Sequence, residues 1–171
     1  LAHPAAPIHV SALMSGVMLK TAVYGLVRVN FDLLGSPLWW WGVVALVVGL
    51  ATALFGVVFA AVQVDMKRLL AYSSIAQAGF LLMGVIAASA AGLASSLFYL
   101  VAYAFTTIGS FAIVSMVRDA SGEATHLSKW AGLGKKSPVV AAVFSLFLLS
   151  LAGIPLTSGF IAKFGVFSAA I

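Results

Sequence analysis

Residues 38–64 read "LWWWGVVALVVGLATALFGVVFAAVQV", a run of 27 residues without one Asp, Glu, Lys or Arg. A helix that spans a bilayer needs about 20 mostly apolar residues, so the run is long enough to cross. No water in the hydrocarbon core can satisfy exposed backbone N–H and C=O groups. The chain must close those bonds on itself, and a helix does so. Trp39, Trp40 and Trp41 stand at one end, where interfacial aromatic belts form. Gly42, Gly49 and Gly56 recur every seven residues, which places them near one helix face. That face predicts a smooth stripe against which a second helix packs closely.

The rest of the 171 residues follows the same pattern. Hydrophobic residues make up 63% and charged residues 8%, and mean hydropathy is +1.17. A soluble domain is about 45–50% apolar and about 25% charged. Five apolar segments emerge: A at about 8–29, B at 38–64, C at 69–90, D at 93–117 and E at 139–171. Pro4 and Pro7 punctuate the start of A, where a missing N–H costs little. All five far exceed the roughly 10-residue alternating strands of a membrane barrel. The expected fold is all-α: a polytopic transmembrane bundle of about five spans, with the last broken at Gly153–Pro155. No internal repeat is evident. The first residues, "LAHPAAP", lack the pattern of a signal peptide, and the chain reads as an internal fragment of a longer protein.

The charges exclude some functions and orient the spans. The net charge is +5, but the cations cluster in short loops and form no aromatic-interleaved patch, so nucleic acid is not an expected partner. No cysteine is present, which rules out thiolate metal sites and disulfides. His3, His9 and His126 match no ligand spacing, and phosphate loops and nucleophile elbows are absent. Neither metal nor cofactor is expected in this chain. With five spans, Lys67, Arg68, Arg118, Lys129, Lys135 and Lys136 share one side, and only Arg28 lies on the other. The positive-inside rule makes the first side, and the start of the chain, cytoplasmic. In the D–E loop, Asp119, Glu123, Lys129 and Lys135 read as a solvated surface.

Two lysines break the rule that charge stays in loops. Lys20 lies roughly 14–18 Å from either end of segment A at 1.5 Å per residue, too deep for a side chain that reaches about 6 Å to snorkel out. A charge at that depth costs about 2.5–3.5 kcal/mol on insertion scales. A partner, a water-filled cavity or loss of the proton must compensate. Lys163 follows "AGIPLTSGF" in segment E, where Gly153 and Pro155 interrupt the helix. The first half of E then ends in mid-segment with free carbonyls of partial negative charge. Thr157 and Ser158 add hydroxyls. Broken helices at membrane depth mark ion paths in many transporters. No span carries Asp or Glu, so a path lined by these amines repels metal cations but can relay protons. The alternative is a static structural role, with each lysine fixed in an ion pair. Tyr99, Tyr103, Thr106 and Ser110 share one face of D, and Ser73 and Gln77 share one face of C. These are possible channel-lining residues, and interhelical hydrogen bonding is the competing reading.

Four stretches, "AHPAAPIHVSALMSGVMLKTAVYGL", "DMKRLLAYSSIAQAGFLL", "GEATHLSKWAGLGKKSP" and "LFLLSLAGIPLTSGFIAKF", resemble the antiporter-like membrane subunits of respiratory complex I, the NADH:quinone oxidoreductase. The N type is the nearest resemblance, and segment A also resembles subunits of energy-converting hydrogenases and multisubunit sodium/proton antiporters. The resemblance implies about fourteen helices in two inverted repeats, of which residues 1–171 match the eighth through twelfth. It implies a proton-translocating subunit of an enzyme complex in the bacterial inner membrane, with other membrane subunits, lipid, protons and internal water as partners. NADH, flavin and quinone chemistry would belong to other subunits. Lys20 matches the lysine that links the family's half-channels, Lys163 the lysine of its broken helix on the outlet side, and Gln77 stands where a histidine often appears. A hydrogenase or cation antiporter subunit, and a purely structural scaffold, are the rival functions.

Overall fold

A computed structural model describes residues 5–33, 39–87, 89–119 and 122–170. His3, Leu38, Ala88 and Ile171, which figured in the expected spans and ligands, lie outside the described residues. The chain is an all-α membrane protein. Helix α1 runs Ile8–Arg28, with a π turn at Met14–Met18. It is followed by α2 (Trp39–Ala61), α3 (Met66–Ile86) and α4 (Ala90–Met116). These four are long and apolar enough to cross a membrane. Segment E is two helices: α6 (Pro138–Ala152) and α7 (Ser158–Ala170). A short hairpin, β1 (Arg118–Asp119) with β2 (Gly122–Glu123), and the one-turn helix α5 (Leu133–Lys136) fill the loop between α4 and α6.

Local chemistry sets the helix ends. Asp65 accepts the Arg68 N–H at 3.0 Å and caps α3, so α3 begins earlier than hydrophobicity alone implied and carries Lys67 and Arg68 in its first turn. Ser89 caps α4 through the Gly92 N–H at 3.0 Å. Ser137 precedes Pro138 at the first position of α6, where proline loses nothing.

The glycine stripe of α2 packs as expected. Among its described residues only Gly49, Ala53 and Gly56 are buried, and they lie against α3. A Cβ on Gly56 would overlap the backbone of Ala76, and one on Gly79 of α3 would strike Ala53. Helices meet this closely only through such small residues. The rest of α2 turns Val47, Leu50, Leu54 and Val58 outward, a surface suited to lipid or a neighbouring chain. Helix α4 runs through the middle of the core, with Tyr99, Tyr103, Phe111 and Val114 buried against α1, α3, α6 and α7.

The loop after α4 keeps Glu123, Lys129 and Lys135 exposed, as expected, but two of its carboxylates are held in ion pairs. Glu123 pairs with Lys67, which is buried and also donates to the Ala6 carbonyl at 3.2 Å. Asp119 pairs with Lys129. The Met66 N–H donates to the Thr125 carbonyl at 2.7 Å, and the Leu127 N–H to the Val64 carbonyl at 2.9 Å. Trp130 donates to the Ala124 carbonyl at 2.7 Å and packs on Phe144. The loop is a clasp over the start of α3. Sequence charge counting missed this because Lys67 sits beside an exposed arginine and its partner is 56 residues away.

Candidate functional site

Both deep lysines occur where helix geometry frees a carbonyl. In the π turn of α1, the Leu19 N–H bonds the Met14 carbonyl five residues back. In an α-helix it would bond Ser15. The Ser15 carbonyl is thereby left for the Lys20 ammonium, which donates to it. Single π turns of this kind occur often at functional sites. Lys20 Nζ also lies 3.7 Å from the centroid of the Tyr103 ring, a cation–π contact in a site that is only 8% exposed. Ser15 and Ser74 hydroxyls bond each other, Tyr103 donates to Ser74 at 3.0 Å, and Ser74 donates to the Leu70 carbonyl at 3.0 Å. A void of about 10 Å³ touches Lys20, Ser74 and Tyr103, near the lower limit for a single water.

The break in segment E holds Lys163. Gly153 is left-handed, with φ 82°, and the Ile154 N–H reaches back to the Leu149 carbonyl at 3.1 Å while Gly153 bonds Ser150 at 3.1 Å. That is a Schellman ending, which favours glycine. The last carbonyls of α6 remain, at the negative end of its dipole. Lys163 donates to two of them, Leu151 at 2.9 Å and Ala152 at 3.1 Å. Its ammonium also lies 5.0 Å from the Phe80 ring centroid. A Cβ at Gly153 would come within 2.8 Å of the Lys163 Cδ, which the lysine stem would have to yield to, and φ 82° itself favours glycine. Thr157 accepts the Phe160 N–H at 3.3 Å and caps α7, and Ser158 bonds Ser150 at 3.2 Å.

Gln77 joins the two ends. Its amide donates to the Leu151 carbonyl at 2.8 Å, the same oxygen that Lys163 uses, and its own oxygen accepts from Tyr99. Tyr99 and Tyr103 meet edge to face with ring centroids 6.3 Å apart. Two hydrogen-bonded groups, Ser15–Ser74–Tyr103 beside Lys20 and Tyr99–Gln77–Leu151 beside Lys163, thus meet at the ring contact of Tyr103 with Tyr99. Neither lysine meets a carboxylate among the described residues.

The other expected lining residues separate. A cavity of about 500 Å³ is lined by Ser73, Gln77, Phe80, Leu151 and Lys163. A second, of about 480 Å³, has Thr106, Thr157 and Ser158 in its wall. Thr106 and Ser110 donate to their own helix, at Ala102 and Thr106 carbonyls, both at 2.8 Å. Ser15 and Ser74 were not singled out by sequence. Ser15 stands five residues before Lys20, but only the π turn turns that spacing into a contact.

The chain as a whole is similar to known membrane proteins. A family described as "NADH:quinone oxidoreductase/Mrp antiporter, TM" matches residues 1–171. NADH-quinone oxidoreductase subunit N 3 of Streptomyces griseus is 56% identical over 165 residues, covering 96% of this chain and 30% of that subunit. Subunit N of Rhodococcus opacus is 51% identical over 166 residues, covering 97% of this chain and 31% of that one. These alignments run through segment A as well, so its likeness to other transporters does not divide the chain. The solved Mrp complex from Dietzia sp. superposes with a TM-score of 0.80 at 31% identity, over 93% of this chain and 29% of that one. The chain spans about 30% of the length of the curated relatives it matches.

Proposed function

The chain belongs to the membrane-subunit family shared by NADH:quinone oxidoreductase and Mrp antiporters, and from that premise we propose that it forms part of a proton-translocating, N-type subunit of a bacterial NADH:quinone oxidoreductase. The observation that carries the reading is the pair of polar groups, one beside each amine, that meet at the Tyr103–Tyr99 contact. An amine can take and release a proton, which a guanidinium cannot. Lys20 receives a proton from the cytoplasmic side. Water carries it onward, one molecule in the void beside Ser74 and Tyr103 and more in the cavity of about 500 Å³ that reaches Gln77 and Lys163, with motion of the Tyr103 and Tyr99 rings, which meet edge to face, opening the way between. The free carbonyls of α6 stabilise the charged form of Lys163 until release to the opposite side. Redox chemistry belongs to other subunits, with which this one assembles in the inner membrane. The start of α1 lies on the cytoplasmic side, as the charge asymmetry supports.

The test replaces Lys20 or Lys163 by alanine in the full complex. Proton pumping per NADH oxidised falls sharply while the complex still assembles. Normal pumping in both variants overturns the proposal. The likeness to the Mrp complex supports a second reading, relay within a multisubunit cation/proton antiporter. Sodium-dependent proton exchange without NADH oxidation would favour it.

A further inference from the structure

At the membrane surface where α4 ends and α6 begins, a cavity of about 270 Å³ opens among Met116, Arg118, Lys129, Lys136, Ser137 and Val140. Three of these side chains are cationic. Lys129 is paired with Asp119, but Arg118 and Lys136 meet no carboxylate among the described residues. Arg118 donates through Nε to the Ser115 carbonyl at 3.4 Å, which ties it to the end of α4. The N-terminus of the 15-residue α6 opens at the same place, and the Ser137 side chain does not cap it. Such an end adds attraction for an anion.

Below this basic mouth the same seam between α4 and α6 becomes apolar. The cavity of about 480 Å³ there, already met at Thr106, Thr157 and Ser158, is walled for the most part by apolar side chains such as Phe98, Val101, Phe105, Leu146 and Leu156. Spacings of seven and eleven residues return to nearly one side of a helix, so Phe98, Phe105 and Met116 share a face of α4, and Val140 and Phe147 share a face of α6. The two cavities therefore stack along one seam, with roughly 15 Å between their levels. Phe105 is 73% exposed and Leu146 56%. The site is cationic at the headgroup level and greasy beneath, a matched pair of chemistries.

We propose that this seam binds an anionic glycerophospholipid, its phosphate held by Arg118, Lys136 and the start of α6, and an acyl chain laid in the cleft beside Phe105 and Leu146. Charge decides for lipid over an apolar partner helix, because an apolar helix leaves Arg118 and Lys136 unmatched. The proposal does not depend on the lysine relay.

The test uses the assembled complex with its full-length subunit, delipidated and then offered photoreactive phosphatidylglycerol, photoreactive phosphatidylcholine or inorganic phosphate. Phosphatidylglycerol crosslinks to the α4–α6 seam and phosphatidylcholine does so weakly. The double variant Arg118→Gln/Lys136→Gln lowers phosphatidylglycerol affinity about 25-fold, at about fivefold per cation near an anionic headgroup. Arg68→Gln, an exposed cation of α3 outside the cavity, leaves crosslinking unchanged. Four results overturn the proposal. Retention is equal in the double variant, Arg68→Gln causes an equal loss, inorganic phosphate displaces the lipid completely, or the seam crosslinks to another polypeptide in place of lipid.

Discussion

Gln77→Leu tests the connection between the two lysines most directly. Gln77 is 5% exposed and accepts from the hydroxyl of Tyr99, a residue only 2% exposed. Leucine is close in volume but cannot accept. The Tyr99 hydroxyl is then left buried without an acceptor, at a cost of about 1–3 kcal/mol. The Leu151 carbonyl is not orphaned, because Lys163 still donates to it at 2.9 Å. The cost therefore resides in the tyrosine, and a double-mutant cycle locates it. Tyr99→Phe removes the hydroxyl, so Gln77→Leu added to Tyr99→Phe costs much less than Gln77→Leu alone. The expected coupling is about 1–2 kcal/mol, within the range for residues in contact. Stability is read from the denaturant dependence of the reconstituted complex. Pumping is read as the proton gradient formed per NADH oxidised in inverted vesicles. Gln77→Leu lowers that ratio, and Gln77→His, which keeps a donor and an acceptor, restores much of it. Strictly additive stabilities together with normal pumping in Gln77→Leu would refute the pair of polar groups as a working connection.

Other substitutions probe separate parts of the structure. Lys20→Arg keeps the positive charge but cannot shed it, so the complex assembles and pumping is lost; pumping at the native level would mean that Lys20 never gives up its proton. Gly153→Ala places a Cβ where φ is 82° and against the Lys163 stem, costing about 1–2 kcal/mol for the backbone alone, and lowers both thermal stability and pumping. Gly56→Leu drives a side chain into Ala76 of α3, with an overpacking cost of about 1–3 kcal/mol or more, and native gels register less assembled complex. Glu123→Gln removes the carboxylate from buried Lys67, and limited proteolysis then cuts the loop around Glu123 faster because its clasp on α3 loosens.

The apolar runs, the glycine stripe of α2 and the break at Gly153 were legible in the sequence because each depends on local rules. An apolar run long enough to span needs a helix, glycines seven apart share a face, and a Gly-x-Pro ends a helix wherever it stands. Lys20 and Lys163 stood out for the same reason, since a charge inside an apolar run is found by counting. Their surroundings did not. Ser15 reaches Ser74 across 59 positions and Gln77 reaches Leu151 across 74, and no local pattern marks which serine on a helix turns toward which neighbour. Thr106 and Ser110 looked like members of the same polar face as Tyr99, yet their hydroxyls turn back onto α4.

Sequence alone determined that this chain forms apolar helices suited to lipid and that two amines and one helix break lie within its apolar segments, because solvent and backbone chemistry dictate those outcomes residue by residue. Tertiary structure alone decided that the π turn would hand a carbonyl to Lys20, that α6 would hand two to Lys163, and that Lys67 would be buried under Glu123. Those contacts depend on how helices far apart in the chain rotate and pack against one another, and the packing energy that sets the rotation is shared over the whole bundle.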